Sequence, residues 1–397
     1  MRTHSKIDVR IIVLLGMALL IGWASAANQG PQSSWKGKIV HENGVKVVKN
    51  PAEPFYGELI LQLEQDLSIG GNQSDDNYYF PKGVWQLNVD DLGNIFVADG
   101  GNRRIQKYDK TGKYAQTIGR KGQGPGEFQY PGKILFDEKG YLCVCDTPAI
   151  HFFEKDGKFI KKVVLKTFVN DPLITIGGFV YGSTQASFRP GGPKETVAKM
   201  DSEGSLAQTV AEFEVEYDQN RNIIAWHRYS NNLGLSPISS KSFCYAYSAE
   251  YKIYVADSEG KTILTMTKDE KPLAITSEEK AAIRKEGPSA AVWRSGNPKV
   301  EEGIVFPPHR PYFSSLQTDG AGRIYVMRRK SVLDKGAELL YDIFCADGYY
   351  LYKMRLGFRP IFMKAGFLYE ARENKETGDF AIIRHKIKNW DQIKIGI

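Results

Sequence analysis

The sequence predicts an all-β fold: a six-bladed β-propeller of four-stranded blades, with an N-terminal strand closing the last blade and one short helical insertion. Three observations lead there. A strand-and-turn unit recurs down the 397-residue chain, glycines are plentiful (39) and fall between runs of strand formers, and aromatic residues reach 12% of the composition. Flat aromatic side chains pack well across pleated sheets.

The recurrence is clearest when residues 90–119 are set over 137–165. Gly93 then falls on Gly140, Val97 on Val144 and Asp99 on Asp146, each pair 47 residues apart. The core of the unit, a turn followed by strand formers, returns as GNIFVAD (93–99), GYLCVCD (140–146), GGFVYGS (177–183), YKIYVAD (251–257), GRIYVMR (322–328) and AGFLYEA (365–371). Each unit is too small to bury its own faces, so the copies must stack on one another. The last copy supplies only three strands. The segment GELILQLEQDLSIG (57–70), with Leu59, Leu61 and Leu63 alternating against Ile60, Gln62 and Glu64, is expected to be the missing outer strand. Such a clasp removes the open sheet edge.

The densest glycine run, GRKGQGPGEFQYPG (119–132), invites a phosphate-binding reading. The pattern argues against it. A P-loop needs Lys and Ser/Thr after its last glycine, where Glu127 and Phe128 stand, and Glu127 also holds the third glycine position of a dinucleotide fingerprint. The run reads instead as a chain return between blades, with Pro125 and Pro131 fixing part of its path.

The chain ends and the charge bound the setting. Arg2, Lys6 and Arg10 precede the apolar run IIVLLGMALLIGW, and Ala24-Ser25-Ala26 follows it, the pattern of an export signal over residues 1–26. At about 13 residues the run is shorter than the ~20 of a spanning helix, so export to the periplasm or beyond is expected, with membrane association only if the segment is retained as an anchor. Residues 27–54 read as an N-terminal extension, 55–390 as the propeller and 391–397 as a tail. Loss of residues 1–26 takes the net charge from +7 to +5, mild for a chain of this length and no signature of a nucleic-acid binder. Cys143, Cys145, Cys244 and Cys345 all lie in apolar strand-like surroundings and are expected to be buried thiols; none has zinc spacing.

The stretch GNIFVADGGNRRIQKYDKTGKYAQTIG resembles an NHL repeat, and over 55–390 the chain resembles secreted bacterial six-bladed propellers related to NHL proteins. The export pattern, the repeat, the long loops and the lack of a catalytic constellation together lead to the expectation of a non-enzymatic scaffold holding a protein, peptide or glycan on one face, in a monomer without cofactor. Propellers of this kind also include metal-dependent lyases and lactone hydrolases, which implies as the alternative a site at the central channel, with calcium as its metal and Asp90 and Asp137 as conceivable ligands. The local reading of those two residues is as turn aspartates bonding nearby backbone N–H groups. Some NHL propellers bind RNA through a basic face. Here the basic cluster, Arg103, Arg104, Lys107, Lys110, Lys113, Arg120 and Lys121, reads as hairpin flanks, with Arg104 in a structural role.

Two segments depart from the repeat: 214–240, and 269–310 with its T-x-x-E capping box at Thr276 and Glu279, which predicts a short helix. Loops on a rigid scaffold often carry binding function. The candidate contacts, taken from these loops and from the entrances to first strands, are Tyr78, Tyr79, Lys82, Gln129, Tyr130, Trp226, His309, Arg310 and Tyr312. Aromatic and arginine side chains are favoured at binding centres. His151, His227 and His309 could meet as metal ligands only if the fold brought them together. No G-x-S-x-G elbow occurs, and no catalytic residue is assigned.

Overall fold

The structure, a computed structural model, describes residues 34–397 apart from Trp85, Phe168, Gly177, 188–191, 294–298 and the side chains of 170–176 and 185–187. The export segment read at 1–26 lies outside the described residues.

The local driver of the fold is an Asp-x-x-Gly turn. After the strand Gln86–Val89, the Asp90 carboxylate accepts the backbone N–H of Leu92 and of Asn94, at 3.0 and 2.8 Å. Gly93 supplies the left-handed residue (φ 86°) that a side chain would resist. The same geometry recurs at Asp109, Asp137, Asp201, Asp257 and Asp319. This settles Asp90 and Asp137 as turn residues, as their local sequence implied.

These turns join strands into six sheets. Blade 1 is Gln86–Val89, Ile95–Asp99, Arg104–Tyr108 and Tyr114–Ile118; blade 2 is Ile134–Phe136, Leu142–Asp146, Ala149–Phe153 and Phe159–Val164. Blade 3 is Val169–Ile176, Phe179–Ser187, Lys194–Met200 and Leu206–Glu214. Blade 4 is Leu233–Ser239, Ser242–Tyr247, Lys252–Asp257 and Thr262–Lys268; blade 5 is Phe313–Thr318, Arg323–Arg328, Leu339–Cys345 and Tyr350–Leu356. Blade 6 has Phe362–Lys364, Phe367–Glu373 and Phe380–Ile387 from the end of the chain. Each first strand contacts the first strands of its two neighbours, and the six close a ring around a central axis.

The N-terminal part wraps three blades. Strands β1 (Lys38–Glu42) and β2 (Val45–Asn50) form a hairpin whose second strand runs parallel to the outer strand of blade 4. Strand β3 (Glu58–Leu59) adds to blade 5, and β4 (Leu63–Gly70) pairs antiparallel with Phe380–Ile387 as the fourth strand of blade 6. The expected clasp is therefore present, with two corrections. The closing strand begins at Leu63, and Leu59 belongs to blade 5, because Lys388 and Asn389, just past the last strand, hold Gln62 and Ile60 and bend the chain between β3 and β4. Ile69, fully buried, anchors the closing strand where the leucine alternation was expected to. In blade 4 the recurring unit is also one strand out: YKIYVAD is the third strand, and Ser242–Tyr247 takes the second place.

The apolar core lies mainly between blades. Ile105, Ile118, Leu142 and Phe153 pack blade 1 on blade 2, and Tyr341, Ile343, Met363 and Leu368 pack blade 5 on blade 6. Blades 4 and 5 also share a charged cluster. Asp342, fully buried, takes Lys268 Nζ at 2.9 Å and Arg328 Nη1 at 3.0 Å, together with the hydroxyls of Tyr251 and Tyr350. All four cysteines are buried and outside any disulfide, and burial pushes the Cys244 thiol up to about 12.

Candidate functional site

Strand direction sorts the connections onto two faces. First-to-second and third-to-fourth links are short turns, so one face of the ring is built of tight Asp-Gly reversals. Every long link, including 71–85, 119–133, 215–232, 269–312 and 329–338, lies on the opposite face. The first interruption is shorter than the sequence suggested: Leu233–Ser239 is the inner strand of blade 4.

The links before and after blade 4 build a small cap. Ile223–Trp226 pairs antiparallel with Ala290–Trp293, and helix α1 (Ser277–Glu286) begins with the expected capping box at Thr276 and Glu279. Ile223, Tyr229, Ile275, Ile283 and Ile304 form its own core. Glu279, 1% exposed, ties the pieces together: its Oε1 accepts the hydroxyls of Tyr229 and Ser331 at 2.5 Å each and Arg310 Nη2 at 2.7 Å.

The residues named from the sequence separate into two sets on this face. Near blades 1 and 2, Asn102 Nδ2 donates to the Tyr79 carbonyl at 3.3 Å, Lys82 packs beside Gly101, and the Arg103 guanidinium stands 5.2 Å from the centre of the Tyr130 ring. Tyr130 is 57% exposed. Tyr78 is turned inward, its hydroxyl accepting the Tyr114 N–H at 2.7 Å, and the Gln129 N–H is spent on Asp146. Near blades 4 and 5, Trp226, His309, Arg310 and Tyr312 all belong to the cap or its attachment. Arg310 is held by Glu279, His309 stacks edge-on against Tyr312 at 5.2 Å, and the Trp226 side chain lies beside the Glu195 carboxylate. Burial raises that carboxylate to about 7.

The three histidines do not meet. His151 is enclosed by Phe128, Phe153 and Phe159 in blade 2, His227 bonds Val305 O at 3.0 Å in the cap, and His309 bonds the Arg310 carbonyl. Among the described residues no group of three or more His, Cys, Asp or Glu side chains is placed to hold a metal ion. Arg104 is structural, gripped by Asp99 at 2.9 Å and by Asp76. In the glycine-rich run, Glu127 itself accepts the N–H groups of Gln123 and Gly124, at 3.1 and 3.0 Å, and Arg120 Nε at 2.9 Å. The loop's donors are turned on its own carboxylate.

Sequence reasoning named the central channel as an alternative site but none of the residues that line it. A cavity of roughly 270 Å³ opens along the axis, lined by the inner strands of blades 1, 2, 4, 5 and 6. Its lining mixes apolar side chains with Gln86, Asn88, Asn232, Ser314 and Gln317, and its charged groups among the described residues are Lys133 and Arg359. Both precede an inner strand, which puts them at the loop-face end.

A family model matches here. DUF5128, described as a 6-bladed beta-propeller, covers residues 81–175, the first two blades. No curated protein matches the chain. Among solved structures, a DUF4221-family protein from Bacteroides vulgatus aligns at 12% identity and TM-score 0.52 over 83% of this chain and 98% of its own. A protein of Bacteroides fragilis NCTC 9343 proposed to be exported aligns at 11% identity and TM-score 0.49, over 86% and 99%. Virginiamycin B lyase from Staphylococcus aureus aligns at 9% identity and TM-score 0.38, over 83% and 89%. At such identities the likeness concerns the fold alone. No described helix is long and apolar enough to cross a membrane.

Proposed function

We propose that this protein is an exported, non-enzymatic binding scaffold that holds a protein, peptide or glycan against the loop-bearing face of its propeller. One observation carries the reading: the uneven distribution of the connections. The return from blade 5 to blade 6 takes only residues 357–361, yet the links at 215–232 and 269–312 are far longer than any such return needs and build a cap with its own core. Long loops on a rigid scaffold are where binding residues concentrate. The exposed members of the sequence-derived set, Lys82 and Tyr130, lie on that face, and the half-buried Arg103, which the sequence reading took for a hairpin flank, sets a cation against the Tyr130 ring. The basic-apolar-small pattern of residues 1–26 supports export.

The test is to probe peptide and glycan arrays with labelled protein and to titrate each hit in solution. Tyr130→Ala and Arg103→Ala should each weaken a true ligand about tenfold or more, as hot-spot residues do, while Lys110→Ala on the turn face should not. A ligand lost with Lys110→Ala and kept by both loop-face variants would overturn the assignment of the face.

A further inference from the structure

The blades end in outer strands whose edges the chain handles in different ways. Blade 2 ends in Phe159–Val164 with Lys161 and Lys162 at its middle, and blade 3 in Leu206–Glu214 with Glu212 and Glu214 near its end. An antiparallel second copy centred on either lysine would set that lysine against itself. One centred on Val210 would bring neither glutamate a cation. Charges so placed keep strand edges from pairing.

The rim of blade 4 differs. The hairpin of β1 and β2 extends its sheet, and among the described residues no strand pairs with the outer edge of β1. Two added strands at ~4.8 Å each put that edge about 10 Å beyond the four-stranded edges of blades 1, 2, 3 and 6. The turn fixes which backbone groups point outward. Asn43 and Gly44, with φ of 51° and 79°, make a two-residue connection between Glu42 and Val45. In such a hairpin the flanking residues exchange hydrogen bonds, and the exchange alternates along the ladder. Glu42, Val40 and Lys38 therefore spend their backbone groups on β2, while Ile39 and His41 turn theirs outward. The charges are also incomplete. Lys38 stands opposite Lys49 across the hairpin, an unfavourable pair. Glu42 reaches Lys49 at 2.8 Å, and Lys38 has no ion-pair partner among the described residues.

We infer that β1 pairs antiparallel with β1 of a second copy, centred on Val40, in place of the monomer expected from the sequence. In this register Ile39 lies opposite His41 of the second copy, so the outward donors and acceptors of both strands meet. Lys38 falls opposite Glu42 of the second copy, on the face that also carries Lys49, and the two-fold symmetry repeats the pair. Each Lys38 thus gains the carboxylate that its own hairpin gives to Lys49. Ile39, 41% exposed, is covered by the facing strand. Such an interface is isologous and closes at two copies. One short strand from each copy buries less than the ~1,200 Å² of a stable interface, so the dimer forms and dissolves with concentration.

This edge lies on the rim of the ring and does not depend on the Tyr130 reading. The experiment is sedimentation velocity of the purified protein over a wide concentration range, with thermal melts of every variant. The unaltered protein should shift from monomer to dimer as concentration rises. Lys38→Glu and Glu42→Lys should each remain monomeric, since each sets like charges face to face. Mixed together, the two variants should associate again, because every facing pair is then opposite in sign; a merely structural role for either residue would not give that rescue. Ile39→Pro removes an outward N–H that the hairpin does not use, as an edge strand tolerates. It should lose the dimer and melt like the parent. A parent that stays monomeric, a dimer that survives Ile39→Pro or either charge variant, or a mixture that fails to associate would each overturn the proposal.

Discussion

Asn50 Oδ1 accepts the backbone N–H of Tyr350 at 2.9 Å, across 300 residues of chain. The same side chain donates through Nδ2 to Gly348 O at 2.8 Å and to Thr267 O at 3.1 Å. At 3% exposure it thus fastens β2 to blades 4 and 5 together. Asn50→Ala leaves a buried N–H and two carbonyls without that partner, at about 1–3 kcal/mol for each group left unsatisfied. The expected total loss is about 3 kcal/mol or more in urea unfolding at pH 7, the low end of that range for each group. A change within about 0.5 kcal/mol, the range of ordinary surface substitutions, would refute this role.

Truncation separates the clasp from the outer wrap. A chain starting at residue 72 lacks β4, so blade 6 keeps three strands and a bare edge beside Ile382. It should be insoluble or fail to melt cooperatively. A chain starting at residue 51 keeps β4 but loses buried Val47 and Val48, whose burial is worth about 1.5–3 kcal/mol each. It should fold with a lower melting temperature. Equal melting of the residue-72 chain and the full-length protein would disprove the closing role of β4.

Acid should weaken the fold through two histidines. Burial holds His151 below its ordinary 6.5, aided by Lys162 and opposed by Asp146, whose Oδ2 lies 3.8 Å away. Burial likewise lowers His227, against the pull of its bond to Val305. The unfolded chain takes up these protons near pH 6.5 and the fold resists them, so stability is full above that value and declines as pH falls below it. Melting temperature should drop between pH 7.5 and 5. His151→Phe, which suits a pocket of three phenylalanines, should flatten that drop; an unchanged slope would exclude His151 as a source.

Glu195 works in the opposite direction. Burial raises it from 4.5 to about 7, outweighing its bond to Leu233 N and the nearby Trp226 side chain. The fold therefore favours its protonated form, and the benefit present at low pH is lost as pH rises through 7. Glu195→Gln keeps the shape without the charge. It should stabilise the protein by about 2 kcal/mol more at pH 8 than at pH 5, since each tenfold change in a proton-binding equilibrium is worth ~1.4 kcal/mol. Equal effects at both values would show that Glu195 is ionised freely.

Much of this fold could be read because its rules are local. The Asp-x-x-Gly turn needs only four residues, and Asp90 and Asp137 announce it in the order of their neighbours. Blade 4 was misplaced by one strand because KIYVAD has the same turn and strand formers as a second strand, and only pairing with Thr262–Lys268 ranks it third. The parallel addition of β2 to blade 4 has no local signature, since nothing near Val47 names its partner 218 residues on, Thr265. The candidate rim was partly legible: Tyr130 was named and stands beside Arg103, which read only as a hairpin flank, while Tyr78 and Arg310 turn inward to partners no spacing reveals.

The placement of β4 also sets an order in time. Asp66 and Arg384 form a 3.0 Å pair 318 residues apart, so the first strand of the ring to be synthesised waits for nearly the last. At ~5–20 residues per second that interval is roughly 15–60 s. Until Phe380–Ile387 emerges the ring has no lock, and the chain is a row of half-covered sheets. A polypeptide built this way stays threadable until its synthesis is almost complete, which is what the export proposed for it would require.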